Sequence, residues 1–427
     1  MNKTFYFSSI IAVSSGLLKL ITFLLLFWLA RDLSVDEYAE FGLFYSMQLG
    51  IVAFSISGII ESATGFLKSN SINSIEKLFF NSKIVFLLYF SIIFFLLSTY
   101  YYLFLDTGIV FFAVIYCSLI LSYCSLQFQL LRINEKHIKS IIFSFFIPLV
   151  GFIGALILYS NFRNYEFYFY GASIGLTISI IISIIFQKIN FKVEINLAKK
   201  IIYKSAPFIL VAFVGWCSGY GNSFIINFFL ESESVAKYTF LLTLGSSVLV
   251  IATSLNQVWA PRVYKLISNS DFIKVEKESS IFYGKMSLII AVVSSFIIIS
   301  YPYVLDLIGG NLVNYKDLGF ELMLIFLSYL TLTSWWNSYN YFLYFGKGKL
   351  VFKIIIISSS IGLFIWVLFI YFLKDIGVYI GFLIQMMLRA LVINIYSKQL
   401  YNVNYNWLYL LLSFCILIST YFILKLF

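Results

Sequence analysis

The sequence predicts an all-α protein that crosses a membrane many times. Three observations carry that expectation. The 427 residues are 61% hydrophobic and only 11% charged, with a mean hydropathy of +0.96, far from the balance of a soluble domain. Apolar runs close to the roughly 20 residues that a spanning helix needs follow one another along almost the whole chain. The Lys and Arg residues gather in alternate gaps between those runs, as expected of a polytopic protein that obeys the positive-inside rule.

The first run, 8–30, carries Lys19 near its middle and lacks a small-residue cleavage site, so it is expected to stay as a membrane helix and not to be a removable signal. A charged turn, "RDLSVDEYAEFGLF" (31–44), leads into the second span, 38–64. Spans follow at 82–104, 109–131, 140–160 and 169–187; Pro148 in the fifth removes a backbone hydrogen bond and is expected to bend it. Beyond a basic segment come 206–229, 237–260, 282–304, 320–345, 352–373 and 376–397, and a thirteenth run closes the chain at 406–426. The basic segment, 188–204, alternates apolar and basic residues at helical spacing, as a helix lying in the membrane interface does.

With a cytoplasmic amino terminus, 21 of the 29 Lys and Arg residues fall on the cytoplasmic side, in stretches such as "KSNSINSIEKLFFNSK", "RINEKHIK" and "KINFKVEINLAKKIIYK". The basic character therefore reports orientation, and no nucleic-acid partner is implied. The four cysteines all lie in apolar spans. Cys117 and Cys124 are two turns apart on one helix, about 10 Å, too far to bridge. They read as packing residues, with no metal spacing and no cofactor expected. His137, beside Lys136 and Lys139, reads as a surface residue.

The turn at 31–44 recurs. Shifted by 197 residues, Leu33 meets Leu230, Asp36 meets Glu233, Ala39 meets Ala236 and Phe41 meets Tyr238. At the same shift "ESATGFLK" (61–68) meets "VWAPRVYK" (258–265). The chain thus reads as a six-helix bundle (1–187), a cytoplasmic amphipathic linker (188–204), a second six-helix bundle (205–398) and an additional carboxy-terminal helix (399–427). Repeats of this kind mark transporters, and an even number of helices per half makes the copies parallel.

On "RDLSVDEYAEFGLFYSM", "GIIESATGFL", "NLAKKIIYKSAPF", "ESVAKYTFLLTLG", "NQVWAPRVYKLI" and "FGKGK", the chain resembles the O-antigen repeat-unit flippases, in the polysaccharide-transport branch of the multidrug/oligosaccharidyl-lipid/polysaccharide (MOP) exporter superfamily. The resemblance implies two six-helix bundles in the V-shaped arrangement of multidrug and toxic compound extrusion (MATE) transporters. It further implies a cavity that opens alternately to each side of the bacterial inner membrane. The implied cargo is an undecaprenyl-diphosphate-linked oligosaccharide, with the polysaccharide polymerase and chain-length regulator as further partners. Members usually have twelve or fourteen spans, so a thirteenth departs from the pattern.

Charges within a membrane are costly and tend to mark function. Lys19 and Arg389 each lie about a dozen residues from the end of a span, near mid-membrane, one in each half. Fixed cations there suit a diphosphate whose hydration is lost in crossing, and the planar guanidinium fork suits paired phosphate oxygens; the bland alternatives are an ion pair or a snorkelling side chain. Glu61, near the cytoplasmic end of its span, either reaches the headgroups, pairs with Lys19, or couples transport to an ion. "SWWNSYNYF" (334–342) offers Trp335, Trp336, Asn337, Tyr339 and Asn340 for stacking on or hydrogen-bonding a glycan, or as an interfacial aromatic belt. Asp306, Asp317 and Glu321 read as a solvated outer rim. "GASIG" (171–175), "GWCSG" (215–219) and "GVYIG" (377–381) fit close helix packing.

Two other functions compete with the flippase. A multidrug exporter should place acids at cavity depth, whereas the mid-span charges here are basic. A membrane polymerase or glycosyltransferase generally presents a large outer loop, and the longest here, "DLIGGNLVNYKDLGF", has about 15 residues. No Gly-x-x-x-x-Gly-Lys-Ser/Thr loop is present, so ATP hydrolysis by this chain is not expected, nor is enzymatic activity.

Overall fold

The computed structural model describes residues 3–68, 75–104, 108–133, 136–185, 194–269 and 271–426. They form α-helices without a strand among the described residues. In order these are α1 (Lys3–Asp32), α2 (Val35–Lys68), α3 (Ile75–Phe104), α4 (Val110–Ile133), α5 (His137–Ile141), α6 (Ile147–Phe162) and α7 (Tyr165–Ile185). The chain continues with α8 (Ile195–Cys217), α9 (Asn222–Phe229), α10 (Ser232–Ser268), α11 (Phe272–Ile308), α12 (Gly319–Tyr344), α13 (Gly348–Tyr401) and α14 (Trp407–Leu426). Eight of the described helices are long and apolar enough to cross a membrane, or nine with α8 and α9 taken as one bent span. The protein is a multi-span membrane protein.

Each expected span has a helical counterpart, with informative differences. A π-helical turn, Ile142–Phe146, precedes Pro148, which falls in the first turn of α6. The wide turn leaves space for a ring that would clash with a preceding carbonyl, and the first turn needs no N–H from it. The segment expected to lie alone on the membrane surface becomes, from Ile195, the opening turns of α8. Leu197, Ile201 and Ser205 are buried at four-residue spacing, the Ser205 hydroxyl lies 2.6 Å from the Tyr89 hydroxyl on α3, and Asn81 of α3 accepts the Glu194 N–H at 3.0 Å. One face of the amphipathic segment is thus taken up by protein.

The expected span 206–229 is broken at 218–221, between α8 and α9. Trp216 explains the break: its indole N–H donates to the Ser46 carbonyl at 2.8 Å, its ring lies over Gly50, and a Cβ at Gly221 would meet it at 2.9 Å. "GWCSG" therefore makes a turn, and Gly215 has nothing near its missing Cβ. The other two glycine pairs do what the sequence suggests. Gly171 and Gly175 of α7 lie against the backbones of Gly154 and Val150 of α6, and Gly377 and Gly381 let the second arm of α13 approach Phe369 and Trp366 of the first. The arms divide at Lys374, the one non-helical residue inside α13, with φ of 54°, and Trp366 donates to the Val378 carbonyl at 2.7 Å.

Contacts group the chain into two compact units: Met1–Leu25 with Glu40–Gly221, and Leu26–Ala39 with Asn222–Phe427. The sequence reading divides the chain within 188–204; the grouping places α8 in the first unit and the passage to the second at the α8–α9 break. The second unit also takes in the charged turn between α1 and α2. Ser34 and Glu37 form a capping box there, the Ser34 N–H and hydroxyl donating to the Glu37 carboxylate at 3.0 and 2.8 Å. Asn311 donates to the Leu33 carbonyl at 2.7 Å, and Gly310, at φ of 68°, leaves room for Arg31. The two repeat-related turns meet directly: the Ser232 hydroxyl opening α10 donates to Asp36 in the first turn of α2. The charges are gathered in this turn because they cap α2 and tie it to its repeat partner.

In the second unit α12 is central, with residues of every turn buried. The thirteenth expected span, α14, is fixed to α11 by Ser413 donating to Ser287 and Thr420 to Ser295, each at 3.0 Å. Gly284 of α11 is seated against the Tyr409 ring.

Candidate functional site

Arg389 stands on the second arm of α13, 15 residues beyond the break at Lys374, or about 22 Å along the helix. Its guanidinium lies over the Trp335 ring of α12, 5.3 Å from the centroid. Trp335 in turn stacks on Tyr339 at 5.5 Å with rings 24° apart, as residues four apart on one helix face do. Thr331, Leu332, Met386 and Ala390 complete a small apolar recess around the guanidinium. The Arg389 Nε–H is buried without a hydrogen-bond partner, and none of the ion pairs among the described residues includes Arg389. A cation within a span, over an aromatic face and in none of the ion pairs among the described residues, is costly, and such charges tend to mark function.

Around this group the structure separates the residues that the sequence placed together. Trp335, Tyr339 and Arg389 converge. Trp336 is partly buried on the same helix. Asn340 is 2% exposed and donates to Tyr283 at 2.6 Å and Asn256 at 3.2 Å, joining α12 to α11 and α10. Asn337 is buried and donates weakly to the Asn404 carbonyl at 3.5 Å. Ser338 donates to Asn394 at 2.9 Å and lies 2.7 Å from Ser397, tying α12 to α13 just beyond Arg389. Asn340 is thus committed to holding α12, whereas the Asn337 Oδ1 is buried without a partner. The side chains of Lys19, Glu61 and His137 lie outside the described residues.

The outer acids divide. Asp306 pairs with Lys316 at 2.5 Å on the surface, which fits a solvated rim. Glu321 does not belong to that rim: in the first turn of α12 it is partly buried, and its Oε2 is sealed without a partner. Residue type alone carries no signal for that difference, because the enclosing helices are distant in sequence. Of the cysteines, Cys117 is buried with its thiol 3.1 Å from the Ser173 hydroxyl, Cys124 is buried, and all four are free.

No protein-family model and no curated protein matches the sequence. Solved structures do share the fold. An inward-facing multidrug resistance MATE family transporter of the MOP superfamily aligns over 94% of this chain and 98% of its own, with a TM-score of 0.68 and 16% identity. An outward-facing one aligns over 92% and 94%, with a TM-score of 0.62 and 15% identity. A MOP superfamily transporter from Pyrococcus furiosus, described as having a binding pocket of reverse polarity that suggests a different function, aligns over 92% and 95%, with a TM-score of 0.61 and 17% identity. The chain has the all-helical fold of these MOP-superfamily transporters, a fold recorded in both inward- and outward-facing conformations.

Proposed function

We propose that the protein flips an undecaprenyl-diphosphate-linked oligosaccharide, an O-antigen or capsule repeat unit, from the cytoplasmic to the outer face of the bacterial inner membrane by alternating access. The single observation that carries this reading is Arg389, a cation within a span whose Nε–H is buried without a hydrogen-bond partner and whose guanidinium lies over the Trp335 ring. A guanidinium so placed complements an anion that has shed its hydration. The cargo's diphosphate is such an anion, whereas a cationic drug would be repelled. Lys19 of α1 is assigned the same role from its place in the sequence, and Glu61 is assigned ion coupling. Trp336 and Tyr339, both partly exposed, are assigned to stacking on the sugars, with Asn337 and Asn340 supporting them from behind. The polymerase and chain-length regulator would act on the delivered units, and the amino terminus lies in the cytoplasm.

Neighbours sharing this fold include multidrug transporters and one described as having a pocket of reverse polarity, so the fold leaves the cargo open, and the sign of the mid-span charge supports the anionic one. Deleting the gene in its host tests the reading. Lipid-linked repeat units should then accumulate on the cytoplasmic face. Their accumulation outside, unpolymerised, would instead identify a polymerase.

A further inference from the structure

One turn before Arg389, and on the same side of the second arm of α13, lies Gln385. It is 0% exposed, and neither its Nε2 nor its Oε1 has a hydrogen-bond partner. A primary amide sealed in an apolar interior with its bonds unmade is among the most destabilising arrangements a core tolerates, and leucine would fill a similar space without that cost. The protein has made room for the amide nonetheless. Gly362, on the facing arm of α13, lies against it, and a Cβ there would meet Gln385 Cγ at 2.8 Å. Ser359, a turn before Gly362, is 3% exposed and its hydroxyl also lacks a partner. Together with Arg389 Nε, these orphaned groups fall on the two facing arms of one helical hairpin.

We propose that Gln385 is a further ligand-holding residue beside Arg389, and that its amide, stored against Gly362 in the empty protein, turns to donate hydrogen bonds to the phosphate oxygens of a lipid-linked diphosphate. The inference rests on the reading of Arg389 given above. Residues four apart on a helix have Cβ atoms about 5–6 Å apart, so a guanidinium and an amide on flexible stems converge on one diphosphate. The diphosphate oxygens supply the acceptors that the Gln385 Nε2 donors lack in the empty state. The stored amide therefore makes the empty site less stable than it need be and the loaded site comparatively favourable.

The test uses the full-length protein in lipid nanodiscs, with undecaprenyl diphosphate as the probe and undecaprenol, which lacks the phosphates, as control. Gln385→Leu and Gln385→Met should melt at or above the wild-type temperature when empty. They should bind undecaprenyl diphosphate about tenfold more weakly, equivalent to about 1.4 kcal/mol, and undecaprenol unchanged. Wild-type affinity in both variants, an equal loss toward undecaprenol, or lower melting temperatures in both would each overturn the assignment, the last because it would show that the amide already makes its bonds in the fold. If wild-type protein binds the two lipids alike, the Arg389 reading falls and this inference falls with it. If wild type prefers the diphosphate and Arg389→Gln removes that preference while Gln385→Leu does not, only the inference about Gln385 fails.

Discussion

At the scale of single residues, the account turns on charge without a counter-charge. Replacing Arg389 by Lys keeps a point charge and loses the fork, so export of lipid-linked units should fall but persist. Arg389→Gln should cost about tenfold to a hundredfold in diphosphate binding, the range for a hydrogen bond to a charged group of roughly 1.5–3 kcal/mol. Trp335→Ala removes the face under the guanidinium. A cation–π contact of about 1–2 kcal/mol predicts roughly fivefold to thirtyfold weaker binding, measured by titration in nanodiscs against undecaprenyl diphosphate. Asn340→Ala should behave differently. It removes the amide that donates to both Tyr283 and Asn256, leaving those two bonded to each other, so its effect should appear as a loss of about 1–3 kcal/mol of stability, visible in thermal melts before any change in selectivity. Arg389 could be picked out as a candidate in the sequence because an isolated charge in an apolar run stands out. Gln385 could not, since one glutamine in such a run is unremarkable until its two unmade bonds are seen.

Helices were read well where the signal was periodic or compositional. All thirteen apolar runs correspond to helices or to an arm of one, and the 197-residue shift that aligned the two turns also relates the first residues of α2 and α10, Val35 and Ser232. What escaped was set by contacts between distant segments. The α8–α9 break follows from Trp216 seated on Gly50, the early start of α8 from its seam with α3, and the π turn from accommodating Pro148. The glycines give a sharp test. Gly171→Ala places a methyl group into the backbone of α6 and should cost about 2 kcal/mol or more. Gly215→Ala, with open space at its Cβ, should be neutral or stabilise α8, since alanine is the better helix former by about 1 kcal/mol. Thermal melts of the two purified variants decide it, and equal effects would contradict the packing described.

For the whole molecule, orientation and cargo are the claims at stake. On a cysteine-free background, cysteine at Glu231 should react with an impermeant reagent in intact cells and cysteine at Lys347 only after lysis; the reverse pattern would invert the topology inferred from the basic segments. The fold was legible from hydropathy, charge alternation and the internal repeat because each is a property of many residues at once. The proposed cargo rests on the sign of two mid-span charges, and the fold does not settle it. The most direct measurement follows a fluorescent undecaprenyl-diphosphate-linked oligosaccharide in proteoliposomes holding equal amounts of wild-type protein or Arg389→Glu. The account predicts translocation by wild type and none above the protein-free rate by the variant, whose carboxylate faces the diphosphate in a medium that screens poorly. Translocation by Arg389→Glu at the wild-type rate would contradict it.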